Sequence, residues 1–126
     1  MNACTILAGL VLGLPAAALG CGACVEDKIA ATYDYAIVSQ AAARHHVVVF
    51  AAVEGPGDPA QESRELRKAA ARAKGVDRES IRAADAPHAL SFALDPRLAA
   101  PEAALSEITR AAALRGVRLS LIRVVR

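Results

Sequence analysis

The chain has 126 residues, 55% of them hydrophobic, with a formal charge of +2 and only 3% aromatic residues, none of them tryptophan. Lys and Arg are interspersed with Asp and Glu and do not gather into a basic stripe with stacking aromatics, which excludes a nucleic-acid partner. Once an N-terminal segment is set aside, what remains suffices for one domain with a single core built mainly from Ala, Val, Leu and Ile, and not for two.

The first charged side chain is Glu26. Ahead of it, Thr5 to Leu14 (TILAGLVLGL) has the length and apolarity of the hydrophobic region of an export signal. Pro15 breaks that run, and Ala16-Ala17-Ala18-Leu19-Gly20 presents small residues to a signal peptidase. Residues 1–20 are therefore expected to be a signal peptide, cleaved after Gly20 or after Ala18, and the mature chain to be periplasmic or extracellular. Two other routes use the same residues. An uncleaved anchor needs about 20 apolar residues, a run that Pro15 and the glycines at 9, 13, 20 and 22 interrupt. A bacterial lipoprotein box would end at Gly20-Cys21, consume the Cys21 thiol and leave a membrane-anchored lipoprotein.

The mature chain opens on one long helix from Val25 to about Ala43, because Val25, Ile29, Tyr33, Ala36, Ile37 and Ala41 recur at helical spacing. Within it Tyr33 reads as core and Asp34 as surface. Val47 to Val53 (VVVFAAV) is a strand apolar enough to be central, covered on one face and partly on the other. Gly55-Pro56-Gly57 ends it. Asp58 as N-cap, Pro59 at the first helical position and Gln61 completing a capping box open a helix through Lys74, stopped by Gly75. Leu66, Ala69, Ala70 and Ala73 are its inward face.

Strands follow at Glu79 to Ala84 and His88 to Leu94, joined by Asp85-Ala86-Pro87. The second alternates, with His88, Leu90, Phe92 and Leu94 on one side and Ala89, Ser91 and Ala93 on the other. Pro101 opens a helix through Leu114, with Leu105, Ile108 and Ala112 inward, and Gly116 stops it. Val117 to Val125 closes the chain as a strand, with Arg118, Arg123 and Arg126 on a solvated face. The predicted class is α+β, a ferredoxin-like β-α-β-β-α-β domain over residues 46–126. Residues 21–45 carry an additional N-terminal helix.

A fold of this class hosts many functions, so function has to be argued from sites. Cys21-Gly22-Ala23-Cys24 is the constellation with chemistry in it. Two cysteines at this spacing can close a disulfide, exchange it with a partner thiol, or converge two thiolates on Cu(I), Zn(II) or Hg(II). The pair is predicted to precede the first turn of the Val25 helix, where free backbone N–H groups favour thiolate. Closing so short a loop constrains little of the unfolded chain, so stability is a poor reason for the disulfide. Zinc would require a third ligand, and His46, between the first helix and the first strand, is the candidate. The bland reading of His45, His46 and His88 is the polar start of a strand. Cys4 lies inside the signal. No Ser sits in a nucleophile elbow and Gly55-Pro56-Gly57 lacks the Lys-Ser/Thr of a phosphate loop, so an enzyme is not expected.

A Cys-x-x-Cys ahead of a helix in a domain of this plan resembles the heavy-metal-associated domains of copper chaperones and metal-transporting ATPases. The resemblance covers the plan of residues 46–126 and, as motif, Cys21 and Cys24. In that family the pair occupies the loop after the first strand, which here is Gly55-Pro56-Gly57-Asp58 without a cysteine. The resemblance implies carriage of Cu(I) or Zn(II) by Cys21 and Cys24. Thioredoxins are similar in placing Cys-x-x-Cys at a helix start, but with a strand directly before it. Two alternatives follow: a thiol–disulfide redox partner, and a non-catalytic interaction module with an incidental disulfide or lipid anchor. Expected partners are thus a soft metal ion or another protein, including a second copy of the chain, with a membrane engaged only through the signal or a lipid.

Overall fold

In the computed structural model of the chain, residues 17–126 are described, with side chains from Val25 onward. The elements in chain order are α1 (Ala17–Thr32), α2 (Tyr35–Ala43), β1 (Val47–Glu54), α3 (Pro59–Arg72), a 3-10 turn (Arg78–Ser80), β2 (Arg82–Asp85), β3 (His88–Leu94), α4 (Pro101–Ala112) and β4 (Arg118–Val125). Among the described residues the fold is α+β, with four α-helices and one four-stranded antiparallel sheet of order β2-β3-β1-β4.

β1 is central, as its apolar run requires, and all but its last residue are buried. Alternate residues of the strand serve different layers. Val47, Val49, Ala51 and Val53 pack with Leu66 and Ala70 of α3, Leu90, Phe92 and Leu94 of β3, and Ala104, Leu105 and Ile108 of α4. Val48 and Phe50 face the other way and pack with Ile29 of α1, Ala41 of α2 and Ala93 of β3. The sheet is therefore covered on both faces, by α3 and α4 on one side and by α1 and α2 on the other. Fully buried Phe50 and Phe92 each contribute about 1.5–3 kcal/mol. The inward faces of α3 and β3 are as their periodicity predicts, and α4 adds Ala104 to the expected Leu105 and Ile108.

The long N-terminal helix is two helices. Asp34 takes an extended backbone (φ −137, ψ 115) and its carboxylate accepts from the N–H groups of Ala36 at 2.9 Å and Ile37 at 3.3 Å. A short acidic side chain offers these amides a partner that a continuing helix would have replaced with carbonyls, so the chain breaks and restarts. Asp34 is thus a cap, half-buried and also bonded to Arg82 at 3.4 Å, instead of a surface residue. Tyr33 is 49% exposed instead of core, and its ring stacks on Phe50 with centroids 6.4 Å apart.

Where a strand was expected from Glu79, Asp77 caps a 3-10 turn and Ser80 is drawn inward. Its hydroxyl donates to Asp77 O at 2.6 Å and accepts from Ala93 N at 2.7 Å, taking the place of a ladder bond, so β2 starts only at Arg82. Asp58 caps α3 through Ala60 N, and Pro59 opens it. The return bond of a capping box is not formed, because Gln61 lies exposed along a cleft with Pro56 and Arg115.

Candidate functional site

α1 begins at Ala17, eight residues before the expected start at Val25, so the backbone of Cys21 and Cys24 runs inside the helix instead of preceding it. After Pro15 nothing in Ala16 to Val25 breaks a helix except two glycines, and alanine favours it. The side chains of both cysteines lie outside the described residues, as do residues 1–16, which hold Cys4 and most of the expected signal.

His46 follows α2 at the foot of β1, where its Nε2 stands 3.7 Å from Asp95 Oδ2. Its position is fixed by the helix end before it: His46 N donates to Ala41 O at 2.8 Å and His45 N to Ala42 O at 3.2 Å, with His45 in the left-handed region at φ 59. This is a Schellman termination with histidine where glycine usually stands. Asp95 in turn accepts from Arg97 N at 3.0 Å, Nε at 3.1 Å and Nη2 at 3.0 Å. The Arg97 guanidinium holds the Asp95 carboxyl below its ordinary value, and Asp95 raises Arg97 in return. Nδ1 of His46 is buried without a hydrogen-bond partner. His46 also lines a small, partly open cavity of about 30 Å³ with Gln40, Arg44 and Asp77, large enough for a water molecule. His45 is exposed, and His88 belongs to a second cluster on the other face of the sheet.

That second cluster was not anticipated. Glu62 and Ser63 of α3 are 4% and 5% exposed, and they meet Asp85 and His88 at the turn between β2 and β3. The Ser63 hydroxyl donates its one proton to Asp85 Oδ1 at 2.7 Å, so in its 3.3 Å contact with His88 Nε2 it can only accept. Nε2 therefore carries a hydrogen, and Nδ1 faces Glu62 Oε1 at 3.9 Å, beyond hydrogen-bond reach. Glu62 Oε1 is buried without a partner. Its carboxylate fills the space where a Cβ on Gly55 would stand, which is why that turn position has no side chain. With Ser63 inaccessible, the cluster fastens the first turns of α3 to the β2–β3 turn and offers no open nucleophile. The signal for it is in the sequence: positions 62 and 63 are in helical phase with Leu66, Ala69, Ala70 and Ala73, and His88 alternates with Leu90 and Phe92. Polar residues on apolar faces mark buried polar contacts.

Among the described residues no group of three or more His, Cys, Asp or Glu side chains is placed to hold a metal ion. Arg118 and Arg123 are exposed on β4, and each meets an acid: Arg118 donates to Glu54 and Arg123 to Glu26, both at 2.8 Å. The Arg118 contact lowers the Glu54 carboxyl below its ordinary value. No protein-family model, no curated protein and no solved structure matches this chain.

Proposed function

We propose that the protein is an exported metal-handling domain of ferredoxin-like plan that binds a soft metal ion, Cu(I) in preference to Zn(II), through Cys21 and Cys24. The β1-α3-β2-β3-α4-β4 succession and the order β2-β3-β1-β4 support the plan. The observation that carries the metal reading is that the helical backbone of α1 runs through both cysteines. Residues three apart on a helix hold their Cβ atoms about 5–6 Å apart, whereas a disulfide requires about 3.8 Å. Two metal–sulfur bonds of about 2.3 Å each bridge that wider gap without unwinding the turn. His46 already faces Asp95, so the reading rests on two thiolates, a donor set that suits two-coordinate Cu(I) better than four-coordinate zinc.

Intact mass spectrometry of protein recovered from its native compartment, before and after reduction and with Cu(I) added, tests this. The expected result is a chain starting at Leu19 or Cys21 that takes up one copper when reduced, with uptake lost in Cys21→Ser and in Cys24→Ser. Copper bound equally by both variants, or a diacylglycerol on Cys21, would overturn it.

A further inference from the structure

The two helical layers differ in charge. The outer side of α3 shows Arg64, Arg67, Lys68 and Arg72, all exposed. On the opposite layer α1 carries Glu26, Asp27 and Lys28, and after them the fifteen residues from Ile29 to Ala43 hold a single charged side chain, Asp34, which is turned to Arg82. The surface of α2 consists of Tyr35, Ala36, Ser39, Gln40, Ala42 and Ala43, with Tyr35 75% exposed and the 49% exposed Tyr33 beside it. A helix with its inner face in the core is expected to meet water with charge, and α2 does not.

The composition of the N-terminal segment points to a lipid bilayer as what covers this surface. Sixteen residues precede α1, including the uncharged Thr5 to Leu14, and they join the fold through α1, which covers the same face of the sheet as α2. Ten uncharged, mostly apolar residues are too few to span a bilayer and enough to enter its outer region. Tyrosine, with an apolar ring and a polar tip, is enriched at that depth.

We infer that, while residues 5–14 remain attached, the outer face of α2 with Tyr33 and Tyr35 lies on a lipid bilayer into which those residues insert, and the charged α3 layer faces water. This goes beyond the metal reading and does not depend on it: Cys21→Ser with Cys24→Ser leaves the orientation unchanged. Because the chain has no tryptophan, a single introduced one reports its own site. The full chain carrying Tyr35→Trp, and a second carrying Lys68→Trp on α3, are mixed with vesicles of phosphatidylcholine and phosphatidylglycerol, with and without brominated acyl chains. The expected result is a blue shift and several-fold stronger bromine quenching for Tyr35→Trp, with Lys68→Trp unmoved. Equal quenching at both sites, stronger quenching at Lys68→Trp, or no binding of the full chain to vesicles would overturn the inference. So would a blue shift of Tyr35→Trp that grows with protein concentration in the absence of vesicles, which would assign the face to a second copy.

Discussion

His45 adopts φ 59 because the Schellman turn between α2 and β1 needs a left-handed residue at that position. For a residue with a Cβ this conformation costs about 1–2 kcal/mol, a cost glycine avoids. His45→Gly is therefore expected to raise the unfolding free energy by about 1 kcal/mol in urea titration, and a loss would mean that the exposed ring makes a contact of its own. Asp95 answers to pH. Its folded carboxyl is held below the ordinary 3.8, chiefly by the bond from Arg97, so it takes up its proton less readily folded than unfolded. The stability it supplies is present above 3.8 and lost as the pH falls through its lowered value. Urea midpoints followed downward from neutral pH should fall more steeply for the wild type than for Asp95→Asn, and parallel curves would remove Asp95 from the acid response. His46 was legible as a candidate ligand, but nothing near it in sequence announced Asp95 as its neighbour.

At the scale of elements, the sequence was most readable where local chemistry and tertiary packing agree. Asp58-Pro59 opens α3, Leu66, Ala69 and Ala70 face inward, and β1 and β3 fall within a residue of their apolar runs. It was least readable where one polar side chain overrides a periodic pattern. The apolar spacing from Val25 to Ala41 continues smoothly across Asp34, and only the cap geometry reveals the break. Asp34→Ala should cost about 1 kcal/mol through loss of the cap. Asp34→Asn, which keeps an accepting oxygen for the cap and loses the charge of the half-buried pairing with Arg82, should be destabilised less than Asp34→Ala. If the two variants are equally destabilised in chemical unfolding, the ion pair and not the cap holds the junction. Ser80 misled the reading of β2 in the same way, by bonding Ala93 N with a hydroxyl where a strand would have used its backbone.

At the scale of the whole molecule, the plan follows from one feature legible in the sequence, a β1 apolar enough to be central and expected to be covered on one face and partly on the other; in the structure both faces are buried. A layer of helices on each side was the remaining step, and Phe50 shows why it was only half visible: alternation puts it on the less apolar face, where α1 and α2 must come to cover it. The same plan leaves β4 as an edge, and its side chains treat that edge as a hazard. The register steps between Phe50 and Ala51, whose partners are Arg123 and Leu121, so Ile122 is an extra residue that bends the strand. Arg118 and Arg123 stand exposed along it. Bulges and charges on an edge oppose its pairing with another chain. Each arginine also sits in an exposed ion pair worth no more than about 1 kcal/mol, so removing both tests edge protection with little effect on folding. Arg118→Val combined with Arg123→Val should leave the urea midpoint nearly unchanged and shift the sedimentation coefficient upward with concentration, through β4 pairing with β4 of a second copy. A double variant that sediments as the wild type does at every concentration would mean that the bulge alone closes the edge.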